Sequence, residues 1–111
     1  MVWLFKPANN NPIGANPIRS GVTITGVPGT WNVYVGPRGG GGPNSNAPVV
    51  SYVATSSVTT LSFDLKRFIT DAAQHGIQNS WYLTDVFAGF EIWTGGDATN
   101  LKVTNFTAEV R

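Results

Sequence analysis

Cysteine is missing from the 111 residues, which excludes a disulfide framework and any thiolate-held metal. Charge is scarce: Asp, Glu, Lys and Arg make up 12% of the chain, about half the usual share of roughly 25%. The net charge is +1, with no cluster of Lys or Arg, so the chain lacks the electrostatic footprint of a nucleic-acid binder. No apolar run approaches the roughly 20 residues of a membrane-crossing helix, and the opening MVWLFKPANNN is too short an apolar run for a secretory signal. The four consecutive glycines at 39–42 are not a phosphate loop, because no Lys-Ser/Thr and no helix follows them. Histidine occurs once, as His75. It falls in the last turn of a predicted helix, where a basic side chain favours the carbonyl end, and that leaves no Ser-His-Asp or metal-hydrolase scheme.

What is plentiful points to an all-β chain of one small domain. There are 13 Gly and 7 Pro for turns, with four Trp, three Tyr and six Phe for packing. Met1 to Phe5 reads as a strand, with Met1, Trp3 and Phe5 on one face and Val2 and Leu4 on the other. KPANNNPIGANPIRSG follows as a loop. Val22–Thr25 and Trp31–Val35 alternate around Pro28-Gly29 and predict a hairpin with Trp31, Val33 and Val35 pointing inward. Trp31 is read as core rather than as a sugar platform. Residues 37–48 form a surface connection, and Val49–Ala54 and Val58–Phe63 are two further predicted strands. One helix is expected: Leu65, Phe68, Ile69, Ala72 and Ala73 make a single apolar stripe, Asp64 can cap it and Gly76 can end it. Leu101–Val110 is a last predicted strand, with a bulge near Asn105.

The stretch with chemical content is Trp81 to Trp93, WYLTDVFAGFEIW. On a two-residue period Val86, Ala88, Phe90 and Ile92 form an apolar side, while Asp85, Phe87, Gly89, Glu91 and Trp93 form a side that mixes carboxylates with aromatic rings. Such a face suits a sugar, since flat rings stack on pyranose C–H surfaces while a carboxyl handles the oxygens. Periodicity alone is equally consistent with a strand whose polar face meets water.

Together with MVWLF, NPIG at 11–14, WNVYVG at 31–36, VSYVA at 50–54 and the LKRFI helix, this stretch resembles the C-terminal half of glycoside hydrolase family 12. The resemblance implies an antiparallel β-sandwich of the jelly-roll, concanavalin-like kind with one short helix, of which residues 1–111 are a part. It further implies a secreted endo-β-1,4-glucanase of the cellulase type that needs no cofactor or metal. The partner would be a β-1,4-glucan: cellulose, mixed-linkage glucan or xyloglucan. In AGFEIW, Glu91 matches the general acid/base. In the family's E-x-M-x-W pattern Met1 and Trp3 match the Met and Trp, which puts the nucleophilic Glu two residues before Met1, roughly 7 Å along the same strand face. Met1, Trp3, Pro12, Ile13, Phe87 and Trp93 are the expected substrate-binding residues; at Phe87 many relatives carry Gln or Glu.

A count of carboxylates sharpens this expectation. Retaining glycosidases hold two carboxyls about 5–5.5 Å apart, and this chain has six acids. Asp85 shares a predicted face with Glu91, but six strand residues separate them by roughly 20 Å. Glu91 therefore lacks a partner within the chain. Phe90, Ile92 and Trp93 are expected to give it an apolar setting that favours the protonated acid. The alternative function is a non-catalytic β-glucan-binding sandwich. A partial sandwich also exposes sheet edges and half a core, so poor solubility or marginal folding is expected.

Overall fold

A computed structural model describes residues 1–111, which divide into two compact units, Met1–Asn79 and Ser80–Arg111. The first contains all of the regular structure: β1 (Val2–Trp3), β2 (Arg19–Val22), β3 (Trp31–Pro37), β4 (Pro48–Ala54), helix α1 (Leu65–Ala72) and a 3₁₀ turn at Ala73–His75. The strands form one open mixed sheet in the order β1-β4-β3-β2, with β1 parallel to β4 and the other pairs antiparallel. Strands thus dominate, with a single short helix, an arrangement compatible with part of a β-sandwich. No helix is long and apolar enough to cross a membrane.

The longest ladder pairs β3 with β4 from Trp31↔Ala54 to Pro37↔Pro48, so the pleat divides their side chains between two faces. On one face Trp31, Val33, Val50 and Tyr52 join Ile24, Val27, Phe68 and Ala72 in the core, with Val2, Leu4 and Val35 packed against them. Val50, Ser51, Tyr52 and Val53 are all buried, as suits a strand flanked by neighbours on both sides. Residues 38–47 close the β3–β4 hairpin through Arg38 N–H to Ala47 O at 2.9 Å and Gly39 N–H to Ser45 O at 2.8 Å.

Helix α1 forms where expected. Asp64 accepts the Lys66 N–H at 2.9 Å, Phe68 and Ala72 are buried, and Gly76 ends the element at φ 92°. Ala73 leaves the apolar stripe because the last turn tightens to 3₁₀, and it is exposed. His75 lies in that turn, its Nε2 buried without a hydrogen-bond partner.

Other expectations need correcting. The first arm of the hairpin is Arg19–Val22, not Val22–Thr25. The four residues Arg19–Val22 stand opposite three on β3, Trp31 to Val33, and the bulge is made by Gly21 at φ 62°, whose N–H donates to Asn32 Oδ1 at 2.9 Å. Ile24 then turns into the core beyond the strand end. Val58–Phe63 is not a strand; its tie to the sheet is Val58 N–H to Leu4 O at 2.8 Å, and one bond is not a ladder.

A polar network secures the helix to the sheet. Arg19 Nη1 donates to both Asp71 oxygens at 3.0 and 2.9 Å, and the Tyr52 hydroxyl donates to Asp71 Oδ2 at 2.7 Å. Burial first, then the hydrogen bond and charge of Asp71, push the Tyr52 phenol well above its ordinary value, with Arg19 acting in the opposite sense. Because the folded phenol keeps its proton longer than the unfolded one, its contribution is complete below the unfolded value near pH 10 and is lost as pH rises further. Tyr52→Phe is expected to cost about 1 kcal/mol at neutral pH. Wild-type stability should fall by about 1.4 kcal/mol per pH unit above pH ~10 relative to the variant, so urea unfolding should show the gap at pH 9 and its closure by about pH 11. A gap unchanged between those two pH values would remove Tyr52 from the network.

The second unit, Ser80–Arg111, contains turns but no helix or strand, and residues 81–111 are all exposed. The expected strands Trp81–Trp93 and Leu101–Val110, with the bulge near Asn105, are therefore not formed. A turn forms through Gly95: Gly96 N–H meets Trp93 O at 2.8 Å, with Gly95 at φ 80°. Asp97 Oδ1 accepts the Thr99 N–H at 2.8 Å. A strand cannot satisfy its own N–H and C=O groups as a helix does, so a strand-like pattern without a paired neighbour stays unladdered.

Candidate active site

The sheet face opposite the core collects one group of the expected residues. Because Val2 pairs with Tyr52 and Trp3 with Val53, Val2 shares the core side and Trp3 the other. Asn32 pairs with Val53, Tyr34 with Ser51 and Gly36 with Val49, so those residues share the face of Trp3. Met1, one step before Val2, falls level with Ser51, and Tyr52 N–H donates to Met1 O at 2.9 Å. Met1 is exposed and Trp3 half-buried.

Ile13 belongs to the same face. A Cβ built on Gly36 would lie 2.7 Å from Ile13 Cγ2, so the Ile13 side chain sits directly over the glycine. By register this point is roughly 7 Å along the strands and roughly 10 Å across them from Met1. Pro12 is buried, so Ile13 is the member of the Pro12-Ile13 pair that presents surface. Met1, Trp3 and Ile13 are thus three apolar groups on one face. Sequence reasoning did not single out Asn32, Tyr34, Ser51 or Val53 as their companions. Strand parity would have found Asn32 and Tyr34, since both alternate with the core residues Trp31, Val33 and Val35. Ser51 Oγ is buried there without a hydrogen-bond partner.

Phe87, Glu91 and Trp93 belong to the second unit. Phe87 is 86% exposed, and Phe90, Ile92 and Trp93 are 50%, 49% and 42% exposed. The apolar setting expected around Glu91 is therefore not formed, for the same reason that the strand is not: no neighbouring strand covers it. The other acids are mostly committed elsewhere. Asp71 holds Arg19 and Tyr52, Asp64 caps the helix, Asp97 closes a turn and Glu109 pairs with Arg111 at 3.1 Å. Hydrogen bonding by Thr99 holds the Asp97 carboxyl below its usual range. Asp85 and Glu91 are the two acids with no such partner, and both are exposed.

On the helix side, Thr23, Thr25, Arg67, Thr70, Asp71 and Gln74 line a recess of about 210 Å³. It contains no aromatic ring and lies across the sheet from Trp3, so it is separate from the face described above.

The family description that matches this chain is that of glycosyl hydrolase family 12, over residues 1–111. The chain belongs to glycosyl hydrolase family 12. It is 39% identical over 112 residues to xyloglucan-specific endo-β-1,4-glucanase A of Emericella nidulans, covering 99% of this chain and 43% of that protein. It is 34% identical over 111 residues to the probable cellulase Cel12b of Mycobacterium tuberculosis, covering 99% of this chain and 66% of that protein. A xyloglucan-specific endo-β-1,4-glucanase of Phytophthora sojae is 31% identical over 111 residues, again with 43% of its length covered. This family 12 chain therefore spans less than half the length of the xyloglucanases it matches.

Proposed function

We propose that residues 1–111 are the C-terminal part of a single family 12 domain, whose complete form is a secreted, retaining endo-β-1,4-glucanase. The observation that carries this reading is the common placement of Met1, Trp3 and Ile13 on one sheet face, within a chain matched by the family along its whole length. The face supplies apolar ground for a glucan chain; in the second unit, Phe87 and Trp93 are the aromatic residues that would flank Glu91 once its strand is paired.

In this proposal the nucleophilic carboxylate lies two residues before Met1, and Glu91 is the general acid/base. The carboxylate attacks the anomeric carbon as Glu91 gives its proton to the departing glycosidic oxygen, which breaks the C–O bond and leaves a glycosyl ester. Water then attacks that ester while Glu91 takes the water's proton, and the carboxylate departs with net retention. For this the segment carrying Glu91 must be paired as a strand in the complete domain, which brings the acid within reach of the sugar and gives it apolar surroundings that favour its protonated form. The substrate class is a β-1,4-glucan, with xyloglucan and cellulose as the forms indicated by the names of the relatives.

A chimera in which the preceding part of the Emericella nidulans enzyme is joined ahead of residues 1–111 tests the reading. It is expected to release reducing ends from xyloglucan or carboxymethyl cellulose, whereas the 111-residue chain alone releases none. A folded chimera that binds β-glucan without cleaving it would instead favour the non-catalytic binding sandwich.

A further inference from the structure

Gly36 is the one glycine inside β3, and glycine weakens a strand interior unless something approaches closely. What approaches is the loop that carries Ile13. A Cβ at Gly36 would meet Ile13 Cγ2 at 2.7 Å, Gly14 N at 2.9 Å and Gly14 Cα at 3.1 Å. The contact is reciprocal: a Cβ at Gly14 would meet Val35 O at 2.6 Å and Val35 C at 3.0 Å. The Gly14 backbone therefore lies against the backbone of Val35 and Gly36, with the Ile13 side chain seated over Gly36 beside it. Gly14 is at φ 107°, where any other residue is strained. Gly36 is not among the positive-φ glycines, so its lack of a Cβ answers to space alone.

The loop is tied down on both sides of this contact. Ala15 N–H bonds Pro12 O at 3.3 Å, Asn16 N–H bonds Gly14 O at 2.5 Å and Ile18 N–H bonds Val33 O at 2.7 Å, while Ala15 is held at φ 54°. A left-handed non-glycine residue is sustained only where its surroundings fix it. Ile13 is thus set at one height above the sheet face.

We propose that the Gly14–Gly36 contact is a latch that seats the Pro12-Ile13 loop, and that Gly36 is a positioning residue for glucan binding through Ile13. The proposal rests on the reading of the Trp3 face as the glucan surface. A methyl group at position 36 can push the tip of Ile13 aside, but Gly14 N and Cα are backbone and cannot swing away. The loop must lift, and small misplacements of binding groups are costly.

The test compares the 111-residue chain with its Gly36→Ala variant by two readouts. Amide exchange at Ala15 and Ile18 reports the latch without any ligand. It is expected to accelerate about tenfold or more in Gly36→Ala, while the Tyr52 amide, in the middle of β4, stays as slow as before. Titration with a xyloglucan oligosaccharide, followed by NMR, is expected to show a Kd raised about three- to tenfold. Unchanged exchange at Ala15 and Ile18 overturns the latch, and accelerated exchange with an unchanged Kd overturns its role in binding. A wild-type chain that leaves the oligosaccharide unbound removes the glucan-surface reading and the binding role with it, and the exchange rates then decide the latch alone. Should Gly36→Ala not fold, Ile13→Ala/Gly36→Ala lacks the side-chain half of the overlap and is expected to regain the fold. A double variant as unfolded as the single one overturns the part given to Ile13, and with it the positioning role of Gly36.

Discussion

Replacing Phe68 by alanine is expected to lower the unfolding free energy of residues 1–79 by about 3–5 kcal/mol, the range for an aromatic lost from a packed core. Phe68 is 3% exposed and is the one large side chain that α1 sends fully into the sheet. Its ring stands edge-on to Trp31 at a centroid distance of 5.1 Å and 89°, and tilts against Tyr52 at 4.7 Å and 54°. Such pairs add about 0.5–1.5 kcal/mol beyond burial itself, and both partners lie in the sheet. Losing the ring therefore empties the helix–sheet seam and also loosens the Tyr52–Asp71 hydrogen bond next to it. Phe63, also edge-on to Phe68 but 37% exposed, provides the comparison, and Phe63→Ala should cost only about 1–2 kcal/mol, because more than a third of its surface stays in water and its loss leaves no closed cavity. Urea unfolding followed by tryptophan fluorescence measures both. A Phe68→Ala loss no larger than that of Phe63→Ala would mean that the helix does not depend on this ring.

The elements that could be read along the chain are those whose causes are local. Asp64, the Leu65-Phe68-Ile69-Ala72 stripe and Gly76 specify α1 within thirteen residues, and cap, apolar face and left-handed stop all appear where those residues put them. Trp31–Val35 and Val49–Ala54 were legible as strands because β-branched and aromatic residues alternate there, whereas their pairing with each other, which extends them to Pro37 and Pro48, was not. The start of β2 was not legible, because Gly21 and the Asn32 side chain move its register by one residue, and nothing in RSGV announces a bulge.

Two further features escaped for a different reason. Ile13 and Gly36 are far apart in sequence, and the glycine's meaning is visible only once the loop is seen lying over it. The stretch Trp81–Trp93 has the two-residue alternation of a strand, yet alternation states which face each side chain would take and not which strand it would pair with. Pairing is a property of two segments. Phe90 and Ile92, half exposed, show what such a pattern becomes when no second segment meets it.

That same stretch carries the second large effect. In the chimera that places residues 1–111 behind the preceding part of a relative, Glu91→Gln is expected to lower kcat on xyloglucan by about 10²–10⁴, the usual contribution of a positioned general acid or base. Gln has nearly the shape of Glu and keeps the hydrogen-bonding capacity, but it can neither deliver a proton to the leaving oxygen nor take one from water. The loss should therefore depend on the leaving group. An aryl glucoside whose phenol departs without protonation should form the glycosyl ester almost as fast as with Glu91, then stall at hydrolysis, giving a burst of phenol followed by slow turnover. Asp85→Asn changes the other unpartnered acid of the unit and should leave kcat within about threefold, since roughly 20 Å of extended chain separates it from Glu91. A Glu91→Gln enzyme with full turnover on xyloglucan, or a loss shared equally by both variants, would place the proton transfer on another residue. The burst is the sharper readout, because a merely misfolded active site slows both halves of the reaction, whereas loss of the proton carrier spares the first half whenever the leaving group can depart unaided.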